Sequence, residues 1–127
     1  MNPAMTSTRP SPVQWATFVS LLVLLFAGIL MPGALKSDIE HRMWHVLPWA
    51  HLAHFTLFAL IASCPVYGSG RPAVVRAIAL AALLAVVTEL LQNFIPGRHP
   101  TIRDCFIDLT GTLAGLAARR MFDPRYR

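Results

Sequence analysis

The stretch "TELLQNFIPGRHPTIRD", residues 88–104, decides how this chain folds. It follows eleven uninterrupted apolar residues, 77–87. Glu89 stands where such a run is already deep in hydrocarbon, Gln92 comes almost one turn later, and Pro96-Gly97-Arg98 then forces a tight turn. A charge at bilayer depth costs at least ~2.5–3.5 kcal/mol on insertion scales, so a carboxylate there faces the interior of a helix bundle and meets polar partners. The rest of the sequence should therefore supply partner helices.

Composition agrees. The 127 residues are 55% hydrophobic and only 13% charged, with a mean hydropathy of +0.54, far from a soluble domain. Four stretches approach the length of a membrane span: 15–31, 51–67, 74–94 and 105–121. The first follows Arg9, as a signal peptide would, but it is long and "ILMPGALK" (29–36) offers no small-x-small cleavage site, so an uncleaved span is expected. The expected fold is an all-α transmembrane bundle of about four spans. It occupies residues 13–121, between a disordered tail at 1–12 and a basic tail at 122–127.

Net charge is +5, from 11 basic and 6 acidic residues, scattered among connections and tails rather than clustered on one face. Membrane lipids rather than nucleic acid are the implied partners. With both termini cytoplasmic, Arg9, Arg71, Arg76, Arg119, Arg120, Arg125 and Arg127 lie inside and Lys36, Arg42, Arg98 and Arg103 outside, the asymmetry of the positive-inside rule. In that topology Cys64 and Cys105 sit several turns apart in depth, too far for a disulfide. The first outer connection, "SDIEHRMWHVLPW" (37–49), has a capping-box pattern in Ser37 and Glu40. Ile39, Met43, Val46 and Leu47 fall near one helical face with Trp44 and Trp49 beside them, which fits a short interfacial helix; an irregular loop fits nearly as well. The turn "YGSGRP" (67–72) joins two antiparallel helices.

The polar residues converge at one depth. On the third span Ala82, Ala85, Glu89 and Gln92 share a face, expected to point inward; on the fourth, Asp104, Asp108, Gly111 and Gly115 do the same. Gly111 and Gly115 form a GxxxG pair that permits close backbone approach. His51 and His54 open the second span at the same level, and Arg98 and Arg103 are the expected partners of the carboxylates. Three readings fit: a polar network holding helices in register; an anion pocket in which Arg98 binds and Glu89 or His54 moves a proton; and a metal site of His51, His54, Glu89 and the aspartates. On chemistry alone the network is simplest and the metal site last, because no HExxH-like motif is present. No cofactor or metal is expected.

Taken together, "HF" at His54-Phe55, "ELLQNFIPGR" from Glu89 to Arg98 and "DCFIDLTGTLAG" from Asp104 to Gly115 resemble the VanZ-like family over roughly the last two-thirds of the chain. The chain departs from that pattern at Ala50-His51, where the family tends to have Asp-Lys, and at Asp108, where it usually has Asn. The resemblance implies a small polytopic protein of the bacterial cytoplasmic membrane, whose namesake is linked to low-level teicoplanin resistance. It also implies binding of, or action on, a cell-envelope component. The binding candidates are His54, Glu89, Gln92, Arg98 and Asp108; the candidates for chemistry are His54, Glu89 and Asp104. A membrane hydrolase or transferase on an envelope lipid or phosphate, and a structural subunit of a membrane complex, are the alternatives.

Overall fold

The computed structural model describes residues 9–43 and 48–123. Among them are five α-helices, one 3₁₀ turn and no strand: α1 Pro12–Ile29, α2 Gly33–Arg42, α3 Trp49–Ser63, the turn Pro65–Tyr67, α4 Gly70–Gln92 and α5 Ile102–Phe122. Helix α1 starts at a capping box. The Ser11 hydroxyl accepts from the Gln14 amide, the Gln14 side chain accepts from the Ser11 amide, and Pro12 fills a first-turn position whose missing N–H costs nothing. Ordered structure thus begins inside the expected tail; residues 1–8 and 124–127 lie outside the described residues.

The expected capping box at Ser37 and Glu40 does not form. Helix α2 begins four residues earlier, after Pro32, so Glu40 is interior and pairs with Lys36 (3.7 Å), while Asp38 pairs with Arg42 (3.2 Å). Pro32 sets the boundary because it cannot extend α1, and the i,i+4 charge pairs favour continuing α2 through Ser37. Trp44, Val46 and Leu47, expected on an interfacial face, are outside the described residues. Trp49 opens α3, and its indole N–H donates to the Met43 carbonyl (2.5 Å). Helix α3 stops where Cys64 turns extended (ψ 137°) ahead of Pro65. Gly68 and Gly70 then take positive φ (85° and 74°) to reverse the chain into α4.

Contacts fix the helix directions. His51 meets Asp104 near the starts of α3 and α5, and Arg119 meets the Cys64 carbonyl near their ends, so the two run parallel. Helix α4 enters α5 through a short reversal and runs against it. Phe18, early in α1, stacks edge-on against Tyr67 (5.7 Å), while the end of α1 meets Arg98. Thus α1 and α4 run one way, α3 and α5 the other. Two cysteines, Cys64 and Cys105, are free thiols.

The closest packing is between α3 and α5. A Cβ on Gly111 would overlap the Phe55 carbonyl oxygen and one on Gly115 the Ala59 carbonyl oxygen, so glycine alone lets these backbones touch. Asp108, Gly111, Thr112 and Gly115 are buried along this seam, on the face expected of α5. On α4, Ala85 and Gln92 are buried as expected and Ala82 is not. The inward stripe of this helix is Ala73, Ala77, Ala81, Ala85, Thr88 and Gln92. Small residues four apart define the face because they let α4 approach its neighbours, and Glu89 lies at its edge.

Large apolar side chains point outward from every long helix, among them Val23 and Leu24 on α1, Leu60 on α3, Leu83 and Leu90 on α4, and Phe106 and Leu113 on α5. Two helices, α1 and α4, are long and apolar enough to cross a membrane, and only 17% and 28% of their apolar windows are buried. A soluble core helix would be mostly buried. A membrane protein is the reading that accounts for both observations.

Candidate functional site

At the end where α3 and α5 begin, two His–carboxylate pairs sit one above the other. His51 Nε2 lies 3.4 Å from Asp104 Oδ1, and His54 Nδ1 lies 2.9 Å from Asp108 Oδ1. The spacing is helical: residues three apart on α3 face residues four apart on a parallel α5, so one packing brings both pairs within reach. The sequence places all four residues at one depth, but only the parallel packing assigns which histidine meets which aspartate.

The two aspartates differ in what they have left to offer. Asp104 has both oxygens engaged, Oδ1 by His51 and Oδ2 by the Thr101 hydroxyl (2.9 Å), and it sits in the first turn of α5 where the helix dipole favours an anion. Asp108 is fully buried, bonded to His54 through Oδ1, and its Oδ2 has no partner among the described residues. Glu89, at the end of α4, is close enough to His54, Asp104 and Asp108 to feel their charges, and the Thr101 backbone N–H donates to it. Its Oε1 is buried and also lacks a partner among the described residues. Gln92 is buried one turn along α4. An ionised Asp108 fixes the His54 tautomer with Nδ1–H donating, which leaves Nε2 as a base.

Arg98 is not the partner of Glu89. Its Nε and Nη2 donate to the Met31 and Gly28 carbonyls (3.1 and 2.7 Å), groups left without helical partners where α1 ends. The Gly33 amide donates to the Pro96 carbonyl (3.0 Å), and Gly33 and Gly97 lie backbone to backbone, with Gly97 at φ 73°. The Pro-Gly-Arg turn therefore fastens the α1–α2 junction, with the guanidinium serving carbonyls that the end of α1 leaves without amide partners. Partial burial lowers the Arg98 pKa from its ordinary value, with Glu40 and Asp104 opposing the shift. Arg103, the other expected partner, is exposed.

At the opposite end the arginines also cap carbonyls, which the charge pattern does not reveal. Arg76 donates to the Tyr67 carbonyl (2.9 Å), and Arg119 donates to the carbonyls of Cys64 (3.1 Å) and Gly68 (2.5 Å). Between them they hold the turn between α3 and α4. Among the described residues no group of three or more His, Cys, Asp or Glu side chains converges on a metal position.

A cavity of about 290 Å³ lies beside the His–Asp pairs, lined by α1, α2 and α3 and partly open, with His54 and Arg98 in its wall.

No curated protein and no solved structure matches the chain. The VanZ/LLP1 family profile matches residues 4–123, nearly the whole sequence and well beyond the motif-bearing two-thirds. That match, together with the glycine seam and the polar cluster that its motif residues build, shows that the chain belongs to the VanZ/LLP1 family.

Proposed function

We propose that this VanZ-family chain is a four-span protein of the bacterial cytoplasmic membrane, with both termini inside, and that its His–carboxylate end faces outward and handles a cell-envelope component by proton transfer or hydrogen bonding. The carrying observation is Asp108: fully buried, bonded to His54, and with one oxygen left over. A network built only to hold helices together would satisfy both oxygens, since an unpaired buried acceptor costs ~1–3 kcal/mol. Support for four spans comes from α3 and α5. Both turn polar residues toward each other and apolar ones outward, so each has a lipid-compatible face, although α3 is short at 15 residues and α5 is less apolar. Residues His51, His54, Glu89, Asp104 and Asp108 form the site, with Gln92 beside it; Arg98 supports it by placing α1.

Reporter fusions after Arg127 and within residues 97–101 test the topology; an external C-terminus or an internal 97–101 connection would refute it. For function, expression in a glycopeptide-sensitive bacterium should lower teicoplanin susceptibility, and Glu89→Gln should abolish that effect at unchanged membrane abundance. A purely structural subunit is the second reading, favoured by the glycine seam; it requires Glu89→Gln to be silent.

A further inference from the structure

The cavity is not explained by the His–Asp pairs. Its walls are mostly apolar, formed by residues such as Leu25, Ile39 and Leu57, while its polar members are few: Lys36, Glu40, His54 and Arg98. At about 290 Å³ it lies near the bottom of the ~300–1,000 Å³ range of ligand sites, a size that favours a slender ligand over a bulky one. A mostly apolar lining gains dispersion contacts from hydrocarbon, and in a bilayer hydrocarbon is the nearest such material.

Three features narrow the occupant. Gly28 of α1 and Ala53 of α3 both line the cavity and are exposed, and the cavity is partly open rather than sealed. The polar members carry two cations against one carboxylate. Lys36 is only loosely paired with Glu40, at 3.7 Å with both side chains partly exposed, and Arg98 uses Nε and Nη2 on α1 while Nη1 has no partner among the described residues. Finally, the Nδ1 of His54 is occupied by Asp108, so Nε2 is the ring nitrogen offered to whatever fills the space.

We infer that this cavity binds a single-chain amphiphile, with its hydrocarbon chain against α1, α2 and α3 and an anionic phosphate- or carboxylate-type head at Lys36 and Arg98, within reach of His54. A free anion would meet the cations and leave the apolar wall bare; a neutral chain would leave the cations without a counter-charge. The assignment rests on the proposed role of the His–carboxylate end, for which it supplies the ligand class.

The test uses the full chain in phosphatidylcholine nanodiscs and a palmitoyl lysophosphatidate carrying a diazirine in its acyl chain. Photolabelling should concentrate on residues 25–31, 39–43 and 50–57. Unlabelled palmitoyl lysophosphatidate should compete, inorganic phosphate should not, and neutral monopalmitoylglycerol should compete roughly tenfold less well, the worth of a charge-assisted contact. A Cβ at Gly28 meets nothing within 4 Å, so Gly28→Leu should fill the space without disturbing the helices and reduce labelling several-fold; Ala53→Leu provides the same block from α3. Labelling spread over the exposed helix faces and unchanged by both substitutions would overturn the inference. Competition by inorganic phosphate would overturn the role of the chain, and equal competition by the neutral lipid that of the head. Focused labelling alongside a silent Glu89→Gln would leave the cavity assignment standing and remove the proposed function; diffuse labelling alongside an inactivating Glu89→Gln would do the reverse.

Discussion

The two ends of the bundle use polar side chains in opposite ways. Where α3 gives way to α4, Arg76 and Arg119 put their guanidinium groups on the carbonyls of Cys64, Tyr67 and Gly68. Among the described residues, the buried side-chain atom left without a partner there is the Tyr67 hydroxyl. Where α3 and α5 begin, imidazoles and carboxylates face one another, and two carboxylate oxygens, on Glu89 and Asp108, are buried without partners among the described residues. The first end spends its charged groups on the chain's own carbonyls. The second sets acid–base side chains against one another and leaves carboxylate oxygens over, which is why function is proposed there.

The largest expected effect lies on the seam that positions both ends. Gly115→Leu or Gly111→Leu would force side-chain atoms into α3 backbone, beyond the ~1–3 kcal/mol of ordinary overpacking. Thermal unfolding in detergent should show loss of the folded state or a drop of many degrees; a near-native transition would mean that α3 and α5 do not touch as described.

Next come the arginine clamps. Arg119→Ala removes two carbonyl bonds at one end and Arg98→Ala two at the other, so each should destabilise by about 1–2 kcal/mol after allowance for partial exposure. The Glu89→Ala, Arg98→Ala double variant sharpens the comparison. Because the guanidinium is bonded to α1, the two losses should add to within ~0.3–0.5 kcal/mol, whereas a direct Glu89–Arg98 pair would make them less than additive. The smallest effect belongs to Lys36→Ala, which breaks a loose, partly exposed pair and should shift stability by no more than about 0.5 kcal/mol. A larger shift would assign Lys36 a structural role.

Much of this was legible in the sequence because lipid makes polar residues conspicuous. Asp104, Asp108, Gly111 and Gly115 recur on one helical face, and their burial against α3 follows that pattern. What the sequence did not disclose was pairing in space. Arg98 lies nine residues after Glu89 in sequence, yet it bonds to carbonyls some 70 residues away (Gly28, |i−j| 70), since any arginine near a helix end can serve an orphan carbonyl from any chain segment. Ser37 and Glu40 matched a cap that Pro32 had already displaced. On α4 the eye is drawn to Glu89 and Gln92, while the packing face is set by alanines that carry no chemical signal.

The most direct measurement compares wild type with His54→Asn in glycopeptide-sensitive cells, with membrane abundance and thermal stability read in parallel. The asparagine amide nitrogen stands where Nδ1 does and can keep the hydrogen bond to Asp108, but it cannot relay a proton. Stability should stay close to wild type while the lowered teicoplanin susceptibility conferred by the wild-type chain disappears. Retention of the full effect by a stable His54→Asn protein would contradict a proton-handling site at this end of the bundle.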